Sequence, residues 1–264
     1  MAFATLGGTT LHYRLAGPPA GPALVLANSL GTDARIWDDV IAALSDTYRI
    51  LSYDKRGHGL SDAPPGPYKI DDHIHDLLGL ADHVGFGDFA LCGVSIGGLI
   101  AQGVALRAPH RLSGLILCDT APKVGTPEMW NTRIEAVANA GVASISEAIL
   151  ARWFAPSFMT THSAQYAGWK NLLERTPAHG YAATCASLRD ADLTAQIHAI
   201  TLPTLVVVGE VDGSTPPDLV RAMADLLPDA RFKVIPGAGH IPSIEAPDAL
   251  IALMRSYLAE IGHV

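Results

Sequence analysis

A chain of 264 residues, 49% hydrophobic and 17% charged, is long enough for one large domain with a substantial core, and its composition excludes a disordered protein. A formal charge of −8 without any Lys/Arg block excludes a nucleic-acid footprint, and no apolar run approaches the ~20 residues needed to span a bilayer. Three cysteines make neither a disulfide framework nor a zinc site, and no basic-then-apolar leader opens the chain, so a cytoplasmic protein without nucleic-acid or membrane partners is expected.

In chain order, TLHYRLAG (10–17) alternates as an edge strand of an antiparallel hairpin would, until Pro18, Pro19, Gly21 and Pro22 break it. ALVLA (23–27) and YRILSYD (48–54) are compact buried strands, and residues 71–84 have helix length. The acidic start of that helix, DDHIHD (71–76), carries two histidines. On a helix, residues two apart diverge, so His73 and His75 do not converge on one ion, and no metal site is expected. DFALCGV (88–94) is a further strand and residues 99–108 a further helix. LSGLILCD (112–119), PTLVVVG (203–209) and RFKVIPG (231–237) complete the strands, and residues 247–261 form a last helix. Strands alternating with helices predict a mostly parallel sheet covered on both faces. The interval from 120 to about 199 breaks the rhythm: Trp130, Ile134 and Val137 stand at helical spacing, and no buried strand is visible. It reads as a helical insertion between two strands.

Within CGVSIGG (92–98), Gly93, Ser95 and Gly97 form G-x-S-x-G between a strand and a helix. In that setting a strained turn lifts the serine hydroxyl above the sheet, and the glycines are needed where any Cβ would collide. A serine hydroxyl needs a base, and the base needs an orienting acid. His240, in the glycine-rich loop GAGHIPSIEAP after the last strand, is the candidate base, at the carboxyl edge where open α/β sheets hold ligands. Asp212, after VVVG, is favoured as the acid, with Asp119, at the end of LILCD, as the competing candidate. The oxyanion would be held by the N–H of Ile96, next to the serine, and by that of Leu30 in the loop NSLGTD after the second apolar strand.

With these residues in place, the chain resembles the α/β-hydrolase fold along its whole length, DKRGHGLSDAP (54–64) included. The resemblance implies an eight-stranded, mostly parallel sheet flanked by helices, with a core of residues 1–120 and 199–264 and a helical cap, 121–198, inserted after the sixth strand. NSLGTD (28–33), CGVSIGGLIAQ (92–102), MWNTRIEAV (129–137) and GYAATCASLRDADL (180–193) are more closely similar to the 3-oxoadipate enol-lactonases. That similarity implies a serine hydrolase opening a small anionic lactone in aromatic-compound degradation, through Ser95, His240 and Asp212, without metal or organic cofactor. A local cation should then neutralise the substrate carboxylate in this net-negative protein. Arg133 is the preferred residue, with Trp130 as an apolar wall, and Arg189 and Lys123 are the other cap cations considered. The competing readings are a general carboxylesterase and a non-catalytic ligand receptor on the same fold.

Overall fold

The computed structural model describes residues 2–264. Among them, eight strands form one sheet in the order β1-β2-β4-β3-β5-β6-β7-β8. β1 (Ala2–Leu6) and β2 (Thr9–Ala16) are the N-terminal hairpin, and β2 runs antiparallel to β4 (Arg49–Tyr53). The hairpin turn uses Gly7 and Gly8 at φ 55° and 84°, a region glycine enters without strain. From there on β3 (Ala23–Ala27), β5 (Phe89–Val94), β6 (Leu112–Cys118), β7 (Thr204–Gly209) and β8 (Ala230–Ile235) are joined by parallel pairings, as is β3 to β4. β5 and β7 are buried at every position, which is why they read as unbroken apolar runs, while β8, at the sheet edge, is half open to solvent.

The helices are α1 (Asp38–Leu44), α2 (Ile70–His83), α3 (Ile96–Arg107), α4 (Pro127–Ala140), α5 (Ser146–Trp153) and α6 (Pro156–Thr161). α7 (Ser163–Glu174), α8 (Ala178–Asp190), α9 (Pro217–Ala224), α10 (Pro242–Glu245) and α11 (Pro247–Glu260) follow. The stretch between β6 and β7 carries α4 to α8 and no strand, and α4 packs along α8. Trp130 and Val137 are buried on α4, with Ile134 half-buried on the same stripe.

The helices depart from the sequence expectation in two ways. α3 starts at Ile96, directly after the serine, because Gly97 and Gly98 let the helix pack against neighbouring backbone and Thr120 where a side chain would collide. α1 and α9 were not anticipated; at 7 and 8 residues they are too short for a periodic signal to stand out. On α2, His73 is buried edge-on against Tyr68 while His75 is exposed, so the two histidines do diverge. Asp76 on the same helix is buried and paired with Arg56 at 2.6 Å.

β3 has β4 on one side and β5 on the other, so the chain reverses its direction of travel across the sheet at β3. Loops leaving the carboxyl ends of β3 and β5 diverge there and open a crevice, the usual ligand position in such sheets.

Candidate active site

Ser95 follows β5 with φ 59° and ψ −121°, one of two non-glycine residues at positive φ among the described residues. Neighbours hold this conformation in place. The Ser95 N–H donates to the Cys118 carbonyl at 2.9 Å, and the Ser95 carbonyl accepts from the Thr120 hydroxyl at 2.7 Å. The flanking glycines are sterically required: a Cβ on Gly93 would lie 2.2 Å from the Gly97 carbonyl oxygen, and one on Gly97 would lie 2.2 Å from that of Ala27. The result is a serine at the first turn of α3, 8% exposed, on the wall of a cavity that His240 also lines.

His240 is 2% exposed, and its Nδ1–H donates to Asp212 Oδ2 at 2.9 Å. That bond fixes the tautomer and leaves Nε2 as the basic nitrogen. Asp212 is saturated from several directions. Its Oδ1 accepts the N–H of Ser214 at 2.7 Å and of Thr215 at 3.1 Å, and its Oδ2 also accepts the Thr215 hydroxyl at 2.7 Å. Burial alone would push its pKa up; His240 and these hydrogen bonds outweigh burial and hold the carboxyl below its usual value.

Asp119, the competing acid, sits behind this pair. Its Oδ1 accepts the Gly209 N–H at 2.8 Å, and its Oδ2 has no partner. Burial and then the Asp212 carboxylate push its pKa well up, whereas that of Asp212 is held down. The carboxylate that meets the imidazole is that of Asp212.

Leu30 lines the same cavity, and Ile96 occupies the first helical position of α3. Neither backbone N–H has an acceptor among the described residues, and for Ile96 this follows from its place in the first turn of the helix. The Leu30 loop is pinned around that free amide. The Gly31 N–H donates to His58 Nε2 at 2.9 Å, Ala34 N–H donates to Asp54 at 2.9 Å, and the Lys55 ammonium donates to the Ser29 carbonyl.

Helices α4, α5 and α8 supply the opposite wall. Trp130 is 3% exposed, donates its indole N–H to the Val124 carbonyl at 2.7 Å and lines the cavity, so it packs and faces the site together. The Arg133 guanidinium lies 4.9 Å from the Trp130 ring centre and has no ion-pair partner among the described residues. Arg189 and Lys123 lie elsewhere: Arg189 pairs with Asp190 at 2.7 Å, and Lys123 donates to the carbonyls of Arg189 and Ala191 at 2.8 and 3.0 Å. Both brace the end of α8.

Two residues that sequence reasoning missed belong to the site. Arg152, on α5, lines the cavity and donates through Nε to the Gly213 carbonyl at 2.8 Å. Glu245, on α10, accepts the N–H of Gly239, next to the base, at 3.0 Å and that of Ala155 at 2.9 Å. With His240 N–H donating to the Trp153 carbonyl at 2.7 Å, the end of α5 is stitched to both the Asp212 and His240 loops. Nothing local to Arg152 or Glu245 announces their contacts to Gly213 and Ala155, which join residues 61 and 90 positions apart. Only the Gly239 contact of Glu245 is local, six residues away.

A polarisable serine, an oriented imidazole, free amides and unneutralised guanidiniums around one cavity suit nucleophilic attack on the carbonyl of an anionic ester. The chain matches the alpha/beta hydrolase fold over residues 22–247. It is 34% identical to "3-oxoadipate enol-lactonase 2" of Acinetobacter baylyi over 93% of this chain and 91% of that one. A solved enol-lactonase from Burkholderia xenovorans superposes with a TM-score of 0.95 at 36% identity, covering 98% of this chain and all of the other. A malate-bound esterase from Thermogutta terrifontis superposes with a TM-score of 0.92 at 32% identity, covering 99% and 97%.

Proposed function

This chain belongs to the alpha/beta hydrolase fold family, and within it we propose that the protein opens the lactone ring of 3-oxoadipate enol-lactone to give 3-oxoadipate, as part of aromatic-compound degradation. That it is a hydrolase follows from the family and from its enol-lactonase relatives. In the proposed reaction the Ser95 hydroxyl attacks the lactone carbonyl while His240 Nε2 takes its proton, with Asp212 holding the imidazole. The Leu30 and Ile96 amides receive the oxyanion. Collapse breaks the ring C–O bond and expels an enolate, which takes the proton back and becomes a ketone. A water activated by His240 then attacks the acyl-enzyme and frees the second carboxylate. The steps need no metal or organic cofactor.

Arg133 would bind the substrate carboxylate against Trp130, with Arg152 adding positive charge to the same cavity. Residues 121–198 would act as a cap over a core of 1–120 and 199–264. No helix among the described residues is long and apolar enough to cross a membrane. The enzyme is proposed to be cytoplasmic and to act on a small anionic metabolite. The observation that carries the anionic substrate is Arg133: a guanidinium without a carboxylate partner, on the wall of the cavity that Ser95 lines. The likeness to an esterase supports a second reading, a general carboxylesterase.

Hydrolysis of the enol-lactone, followed by loss of its absorbance beside a neutral p-nitrophenyl ester, separates the two. Wild type should prefer the lactone, and Ser95→Ala should lose about 10⁶-fold in kcat on both substrates, the scale seen when a triad nucleophile is removed, while keeping its fold. Ester turnover without lactone turnover would leave a carboxylesterase. Tight lactone binding without turnover would leave a ligand receptor.

A further inference from the structure

The loop after β3 is held from beneath by side chains that the proposed steps do not use. Lys55, just after β4, is 1% exposed. Its ammonium donates to the Ser29 carbonyl and, at 3.3 Å, to that of Thr32. The Ser29 carbonyl also takes the Thr32 hydroxyl at 2.8 Å and the Thr32 N–H at 3.3 Å, and the Thr32 carbonyl also takes the Asn28 amide. One peptide later, His58 accepts the Gly31 N–H.

The Ser29 carbonyl and the Leu30 N–H belong to the same peptide group. In a planar trans peptide these two bonds point in opposite directions, so whatever fixes the carbonyl also aims the amide. A cation on the carbonyl oxygen draws electron density through the peptide and strengthens its N–H as a donor, the cooperative effect found in chains of hydrogen bonds. We infer that Lys55 is a positioning residue of the oxyanion hole, whose ammonium holds and polarises the Ser29–Leu30 peptide so that the Leu30 N–H meets the developing oxyanion. The inference rests on the reading of Leu30 as an oxyanion donor.

Stability alone gives no reason for an ammonium at this position. Desolvating a cation is costly, and exchanging a buried charge for an apolar side chain of similar volume is often neutral or stabilising. The two carbonyls would keep the Thr32 and Asn28 donors if Lys55 were apolar. Burial pushes the Lys55 pKa down to about 7, against the opposing pull of Asp54 and Asp33, so holding the charged form here costs free energy. His58 answers to the same charge. Burial, and then Lys55, hold its pKa well below the usual value, which keeps Nε2 an acceptor for Gly31.

The test compares Lys55→Met, close in volume and uncharged, with Lys55→Gln, which restores a neutral donor. On neutral p-nitrophenyl acetate, where recognition of a substrate carboxylate plays no part, Lys55→Met should lose about 30-fold in kcat with KM within about twofold. That is less than the ~10²–10³ lost when an oxyanion donor is removed outright. Affinity for a boronic acid, which forms a tetrahedral adduct on Ser95, should fall by the same factor. Lys55→Gln should recover part of both losses, and neither variant should melt below wild type. A lowered melting temperature with unchanged kcat would leave Lys55 structural and overturn the inference.

A spectroscopic arm covers the case in which Lys55→Met does not fold. Labelling serine with carbonyl ¹³C and leucine with ¹⁵N marks two peptides in this chain, Ser29–Leu30 and Ser187–Leu188. On boronate binding the Leu30 amide proton should move downfield, and should move less in Lys55→Gln than in wild type. No movement in wild type would overturn the oxyanion reading and this inference together. Equal movement in both proteins, with equal kcat, would overturn the role of Lys55 alone.

Discussion

The two walls of the cavity are built differently. On the sheet side each polar group is buried and held from several directions: Asp212 takes four donors, the Ser95 backbone is bonded to β6 and Thr120, and the Leu30 loop is pinned by Lys55 and His58. On the helix side, Arg133 rests on Trp130 without a carboxylate partner, and Arg152 reaches only the carbonyls of Gly213 and Ser214. Groups held from several directions do not reorganise as charge develops, which is what a reaction centre needs. Charges left without counter-ions keep their attraction for a ligand. On the proposed function the contrast separates reaction from recognition, and each side is expected to fail in its own way.

The largest effect should come from breaking the sheet side at its acid. Asp212→Asn offers the imidazole an amide in place of a carboxylate, and kcat should fall about 10⁴-fold on lactone and neutral ester alike, the scale of a triad held in the wrong tautomer. Asp119→Asn changes a carboxyl of raised pKa that does not meet the imidazole, keeps its size, and should stay within about threefold of wild type. Steady-state kinetics of both variants checks this. The reverse order would move the orienting acid to Asp119 and undo the account of Asp212 as the carboxylate that holds the imidazole.

A smaller and more selective effect should come from the helix side. Arg133→Ala should lower kcat/KM for the anionic lactone about 10- to 100-fold, as expected from ~1.5–3 kcal/mol for a hydrogen bond to a charged group. The neutral ester should change no more than about twofold, since it has no carboxylate to lose. Equal losses on both substrates would mean that Arg133 supports Trp130 and the helix packing, and the separation of the two walls would fail there.

How far each wall could be read from sequence follows the same division. Ser95 was legible because its turn depends on residues within two positions, and His240 and Asp212 because each follows an apolar strand whose carboxyl end faces the crevice. The parallel sheet was legible because buried strands such as β5 and β7 leave unbroken apolar runs. Lys55 was legible only as part of a loop motif, and its burial beneath the Ser29 carbonyl depends on chain 26 residues away. Arg152 and Glu245 gave no signal because their contacts arise when α5 packs onto loops far along the sequence. On sequence Arg133 is preferred, with Trp130 one turn away, and Arg189 and Lys123 stand behind it. What separates them is whether a partner within the fold already occupies the cation. Arg189 pairs with the adjacent Asp190, which sequence could suggest. Lys123 is held by carbonyls 66 and 68 residues away, of which spacing along the chain carries no trace.

The stitch between the walls is the smallest expected effect and the one that shows how independent they are. Glu245 joins Gly239, beside the base, to Ala155 at the end of α5. Burial raises its pKa from the ordinary 4.5 to about 7, against the opposing pull of those two amide hydrogen bonds. Between these values the folded protein holds a proton that the unfolded chain releases, so this group makes stability fall as pH rises from about 4.5 to about 7, and adds no further change above that. Glu245→Gln removes the titration. It also loses one of two amide acceptors, because the Gln side chain has one oxygen, at a cost of about 1 kcal/mol at any pH. Melting temperatures should therefore show the variant below wild type at pH 5 and level with or above it by pH 8, because the wild type's loss over that range exceeds ~1 kcal/mol. The kcat should fall only about threefold, since Asp212 still orients His240. A gap that stays constant with pH would mean that Glu245 is ionised throughout, and that the stitch is held by charge instead of being loosened by it.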